Sequence, residues 1–236
     1  MTAGVDSPPV TAFPDRDLLA AGLAERVARD LAAAIDARGR ATLAVPGGET
    51  PGRFLRALAQ ADIAWMRVRV TLTDERWVPP EDARSNARLV RANLLHGPAA
   101  AAEFVPLYAP GLSPETGAER QSRELDERML PLDVCVLGMG ADGHTASLFP
   151  GAEQLQEALD PACLQSLVAV HAPGAGEPRV SLSAPVLCGA GQVYLLIQGT
   201  EKRAALDAAL TATSALEAPV RVVLTRAGPV EVVYAD

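Results

Sequence analysis

The chain has 236 residues, 49% of them hydrophobic and 21% charged, the balance of a globular protein rather than a disordered or fibrous one. Its 21 Lys and Arg stand against 29 Asp and Glu, a net charge of -8 that excludes a general nucleic-acid or anionic-membrane surface, so a phosphate site has to be a local concentration of donors. Cys135, Cys163 and Cys188 are widely spaced, form no CxxC pair and leave an odd one, which argues against a disulfide framework or a zinc site and for a reducing compartment.

The opening MTAGVDSPPV has neither a basic n-region nor an apolar h-region, and no apolar run approaches the roughly 20 residues of a membrane span. A cytoplasmic protein is expected, with residues 1–14 as a leader to one α/β domain. Residues 15–38 place Leu19, Leu23, Val27, Leu31 and Ile35 on one stripe ending at Gly39, the pattern of an amphipathic helix. Short runs rich in β-branched residues predict eight strands, over 42–45, 68–73, 133–137, 167–170, 180–183, 193–197, 220–224 and 230–234. Helical stretches over 51–60, 85–95, 114–129 and 201–212 lie between many of them. This alternation implies an α/β fold with a doubly wound, mostly parallel sheet flanked by helices, and such sheets bind ligands beyond the carboxyl ends of their strands.

Four loops at strand ends carry the polar chemistry. In 45–51, Gly47 and Gly48 follow a strand, Thr50 can cap the next helix and Pro51 can open it. Such a loop lets backbone N–H groups approach an oxyanion, although read alone it is also a tight turn, and Glu49 is an awkward neighbour for phosphate. The second loop sets Asp74, Glu75 and Arg76 at a strand end; a carboxylate there can orient a proton carrier and Arg76 can bind phosphate or stabilise developing charge. As an isolated tripeptide it could equally be a solvated charge cluster anchored by Trp77.

The third loop is the run GMGADGHTASLFPG over 138–151. Gly138, Gly140 and Gly143 match GxGxxG formally, but Pro150 interrupts the following segment and the next strand ends in His171, Ala172 and Pro173 without an acidic residue, so dinucleotide binding is rejected. What remains is a turn presenting His144 with the carboxylate of Asp142 two residues away, suited to water activation. His96 and His171, at element ends, read as structural. The fourth feature pairs Arg179 with Lys202, a bidentate fork and a mobile point charge that could reach one phosphate. Ser85 is a plausible N-cap, and Asn86 beside it is a weaker signal.

In this order these segments resemble the 6-phosphogluconolactonase family, within the broader group of glucosamine-6-phosphate deaminase-like proteins. The resemblance spans nearly the whole chain: residues 46–51, the stretch from Asp74 through Pro79, Ser85 and Asn86, 138–151, 179–183 and 199–203. It implies hydrolysis of 6-phospho-D-glucono-1,5-lactone without metal or organic cofactor, with His144 as general base, Asp74 or Asp142 as helpers and Arg76 stabilising charge. Gly47, Gly48, Thr50, Arg179 and Lys202 would then hold the phosphate. Pro46 stands where the family commonly has serine, which removes a hydroxyl and an N–H from the phosphate loop. The implied partner is a small phosphosugar lactone, with no nucleic acid and no membrane, for a monomer or small homo-oligomer.

Two rivals are weighed. A glucosamine-6-phosphate deaminase would continue with an acidic residue shortly after the histidine, and residues 145–150 supply none. A non-catalytic phosphosugar sensor would have little need of a histidine beside carboxylates. A serine esterase lacks its GxSxG elbow.

Overall fold

The computed structural model describes residues 8–173 and 176–236. In chain order the elements are β1 (Val10–Ala12), α1 (Arg16–Arg38), β2 (Ala41–Val45), α2 (Gly52–Leu58), β3 (Val68–Leu72), β4 (Asp74–Arg76), α3 (Asn86–Asn93), β5 (Glu103–Phe104), α4 (Pro114–Arg128) and β6 (Val134–Leu137). There follow α5 (Leu155–Leu159), β7 (Leu167–Val170), β8 (Arg179–Leu182), α6 (Ala184–Gly189), β9 (Gln192–Gln198), α7 (Thr200–Thr211), α8 (Arg221–Leu224) and β10 (Val230–Ala235).

Seven strands form one sheet in the order β1-β10-β9-β6-β2-β3-β5, and every pairing in it is parallel. Strands β2 and β6 lie at its centre and every one of their residues is buried, which is why they read as continuous apolar runs instead of alternating ones. From β2 the chain passes to β3 on one side; the next main-sheet strand after β6 is β9 on the other. The boundary between β2 and β6 is therefore the switch point at which loops part and a crevice opens.

Helix α1 behaves as its stripe predicts. Leu19, Leu23, Val27 and Leu31 are fully buried, Asp15 caps the N-terminus by accepting from the N–H groups of Asp17 and Leu18, and Gly39 ends the helix. Asp133 ties this layer to the sheet: its carboxylate accepts from the N–H of Thr42 at 2.8 Å and from Arg38. Among the described residues no helix is long and apolar enough to cross a membrane.

Three expectations need correction. Of residues 220–224, Arg221–Leu224 form helix α8 with Val220 as its N-cap, instead of a strand. Val220, Val223 and Leu224 are buried at i, i+3 and i+4, and the N–H of Leu224 reaches the carbonyl of Val220 at 3.2 Å, so this short β-branched run satisfies a helical period as well as a strand's. Part of the leader is strand β1, added in parallel to the edge of β10; residues 1–7 lie outside the described residues. Helix α2 begins at Gly52 with Pro51 as its N-cap and no side-chain capping bond, so Thr50 is not its cap.

Strands β7 and β8 do not join the main sheet. They pair antiparallel with each other, and β8 pairs antiparallel with β4, a strand made of the charged residues Asp74, Glu75 and Arg76. This small sheet stands over the carboxyl end of β3 and supplies one wall of the crevice.

Candidate active site

A cleft of about 210 Å³ opens where β2, β6 and β9 end, small beside the roughly 300–1,000 Å³ of sites that take drug-sized ligands. Of the predicted site residues, Gly47, Gly48, Thr50, Asp74, Arg76, His144, Arg179 and Lys202 line it. Asp142 does not line it and instead stands behind His144. His96 and His171 lie elsewhere: His96 Nε2 is 3.1 Å from the carbonyl of Asn93, and His171 Nε2 pairs with Glu115 at 2.8 Å.

The loop after β6 is folded around its histidine. Asp142 Oδ1 accepts from the backbone N–H of His144 at 3.1 Å and lies 2.6 Å from its Nδ1. An ionised carboxylate only accepts, so Nδ1 carries the proton and Nε2 of the neutral ring keeps its lone pair, with no bonded partner among the described residues. Burial pulls the Asp142 carboxyl upward, but the backbone and ring hydrogen bonds from His144, with the positive charge that the ring carries when protonated, outweigh that, and the group sits below its ordinary value. A side chain at Gly140 would collide with both His144 and Asp142, so the close approach of this turn requires glycine there. The loop is braced from behind by the N–H of Val220, at the start of α8, which donates to the carbonyl of Gly143 at 2.9 Å. No helix opens within the glycine run; the next one begins at Leu155, so the anion site of a dinucleotide fold is not built here.

A second wall of the cleft is cationic. The antiparallel register of β4 and β8 places Arg76 directly across from Arg179, and both line the cleft, with Lys202 on the first turn of α7. Like charges facing each other across strands repel, an arrangement that an anion between them relieves. Arg76 donates from Nη1 to the carbonyl of Arg84 at 2.6 Å, while its buried Nε has no hydrogen-bond partner. Burial draws the Arg179 guanidinium down, opposed by the carboxylate of Asp74.

The three carboxylates that the sequence left undivided have different surroundings. Asp142 touches His144. Asp74, 6% exposed, accepts from the hydroxyl of Ser147 at 2.6 Å. Glu75 is fully buried and accepts from the N–H groups of Arg76, Asn86 and Ala87 and from the hydroxyl of Ser85, at 2.7 to 3.1 Å, so it anchors the start of α3 to β4. Burial pushes its carboxyl up against the pull of those amides.

Three residues beside the site were not among the predicted ones. Asn86 donates to the carbonyl of Asp74 at 2.9 Å and fills the space over Gly47, where any side chain would strike it. Gln198 lines the cleft from the end of β9. Ser147 reaches Asp74 because Ala146 adopts φ 49°, a left-handed conformation that costs a non-glycine residue roughly 1 kcal/mol and is signalled by nothing in the spacing. Among the described residues no three His, Cys, Asp or Glu side chains are grouped to hold a metal ion.

The family model for glucosamine-6-phosphate isomerases/6-phosphogluconolactonase matches residues 14–233. The chain belongs to this family. Within the glucosamine-6-phosphate isomerase/6-phosphogluconolactonase family it is 51% identical over 225 residues to a 6-phosphogluconolactonase of Mesorhizobium japonicum, covering 95% of this chain and 94% of that protein. A 6-phosphogluconolactonase of Rhizobium meliloti is 47% identical, over 94% of this chain and 97% of its own. The crystal structure of a 6-phosphogluconolactonase from Shewanella baltica superposes with a TM-score of 0.95 at 36% identity, covering 99% of this chain and all of that one. The family's sheet and the crevice at its switch point are thus the frame on which the histidine loop and the cationic wall are mounted.

Proposed function

We infer that the chain hydrolyses 6-phospho-D-glucono-1,5-lactone to 6-phospho-D-gluconate, the second step of the oxidative pentose phosphate pathway. One observation carries the assignment of roles: His144, held through Nδ1 by Asp142, shares its cleft with Arg76, Arg179 and Lys202.

In the proposed mechanism Arg179, Lys202 and the backbone of Gly47 and Gly48, with Thr50, hold the phosphate. That binding is remote from the reacting carbon and serves to place the lactone carbonyl near His144. His144 Nε2 takes a proton from water as the water oxygen bonds to the carbonyl carbon. Asp142 stabilises the imidazolium that forms, and Arg76 compensates the charge on the carbonyl oxygen. Collapse of the tetrahedral intermediate breaks the bond to the ring oxygen, which receives the proton from His144, and the ring opens to the acid. Asp74, tied to Ser147 and with its charge acting on the Arg179 guanidinium, sets the orientation of the cationic wall. The reaction as drawn uses no metal and no organic cofactor, and the cytoplasm is its proposed setting.

The test is loss of freshly generated 6-phosphogluconolactone in the presence of wild type, of His144→Ala, and of no enzyme, because the lactone also opens spontaneously. Wild type accelerates the loss, and His144→Ala lowers kcat by roughly 10²-fold or more while still binding the phosphosugar. Acceleration that survives in the variant would remove His144 from the role of base.

A further inference from the structure

Phe149 ends the turn that carries the chain back beneath its histidine. Leu148 donates to the carbonyl of Thr145 at 3.0 Å, and Thr145 is pinned through its hydroxyl to the carbonyl of Gly138 at 2.8 Å. The ring of Phe149 then lies 4.4 Å from that of His144, centroid to centroid, with the planes tilted by 45°. The guanidinium carbon of Arg179 sits 5.3 Å from the centre of the same ring. Phe149 itself does not line the cleft.

One aromatic plate therefore backs two side chains that come from different parts of the fold, one on the loop after β6 and one on the small antiparallel sheet. The contacts differ in kind. A guanidinium is drawn to the negative face of the ring, whereas a tilted imidazole packs on it as an aromatic pair. Among the described residues the His144 ring has one hydrogen bond, at Nδ1, and one bond by itself leaves a ring room to swing about it. Arg179 is a long side chain with several rotatable bonds.

We propose that Phe149 is a positioning residue for the lactone hydrolysis, a shared wall that sets the direction of His144 Nε2 relative to the Arg179 guanidinium. The proposal rests on the reading of His144 as base and Arg179 as phosphate ligand. Through it the proton acceptor and the phosphate anchor are held at one mutual spacing, so a substrate gripped at its phosphate presents its carbonyl to the base.

The experiment compares lactone hydrolysis and thermal melting of wild type, His144→Ala, Phe149→Leu and Phe149→Tyr. Leu keeps an apolar side chain and removes the π face; Tyr keeps the face. The expected result is a folded Phe149→Leu enzyme with KM raised and kcat lowered, together about tenfold or more in kcat/KM, and recovery of both constants in Phe149→Tyr. The ring-proton resonances of His144, assigned by their loss in His144→Ala, shift in Phe149→Leu and return in Phe149→Tyr, while those of His96 and His171 stay in place. Wild-type kcat and KM in Phe149→Leu, or unmoved His144 resonances, would overturn the proposal while leaving the lactonase reading intact. A wild type without acceleration overturns both. Should Phe149→Leu not fold, Phe149→Met carries the same comparison.

Discussion

His144 and Asp142 are two residues apart, and their pairing decides which ring nitrogen is basic. An asparagine at position 142 can still accept from Nδ1–H through its amide oxygen, so geometry survives while the charge that stabilises the imidazolium is lost. Asp142→Asn is expected to lower kcat by roughly a hundredfold with KM little changed, measured by steady-state lactone hydrolysis. The same contact bears on stability. Because the Asp142 carboxyl is held below its ordinary value of about 3.9, its stabilisation of the native state is complete above that pH and disappears as the pH falls through the lowered native value. Urea melts of wild type and Asp142→Asn should therefore differ by a constant amount at neutral pH and converge in strong acid; a gap that widened in acid would contradict this sign.

Among the elements, β4 and α3 are joined by the buried carboxylate of Glu75, whose four donors include two N–H groups of the first turn of α3. Glu75→Ala leaves those donors without an acceptor and is expected to cost on the order of 3 kcal/mol in urea-monitored unfolding. Gly47→Ala acts more locally: the added methyl strikes Asn86, so the loop after β2 has to shift, and KM should rise severalfold with little change in melting temperature. These joints also mark where the sequence could be read and where it could not. Helix α1, the two central strands and the loops at their carboxyl ends were legible because burial imposes a period or an unbroken apolar run on the residues themselves. Strand β4 was not, since its residues are all charged and its conformation comes from pairing with β8. Helix α8 was misread because five residues are too few to separate two periods. Within the site, most of the residues named from the sequence do line the cleft, but the work of Asp74, Glu75 and Asp142 could not be divided, a matter of which partner each meets across the fold.

The whole molecule is acidic, yet Arg76, Arg179 and Lys202 converge on one cleft at the switch point of the sheet. A small anion is thus favoured there by local geometry against the molecule's net repulsion. Inorganic phosphate should inhibit competitively, and Arg179→Ala should raise its inhibition constant by about tenfold or more, the loss of one charge-assisted contact. Added salt should weaken the same inhibition through screening. An inhibition constant unchanged in the variant would place the phosphate elsewhere.

Strand β10 lies between β1 and β9, and the N–H that braces Gly143 belongs to Val220. A chain still being synthesised past Lys202 already contains the histidine, the carboxylates and every cation of the cleft. It has neither the brace behind its histidine loop nor the strand that joins β1 to the sheet. The groups of the cleft are thus all made before the two segments, α8 and β10, that hold their frame in place.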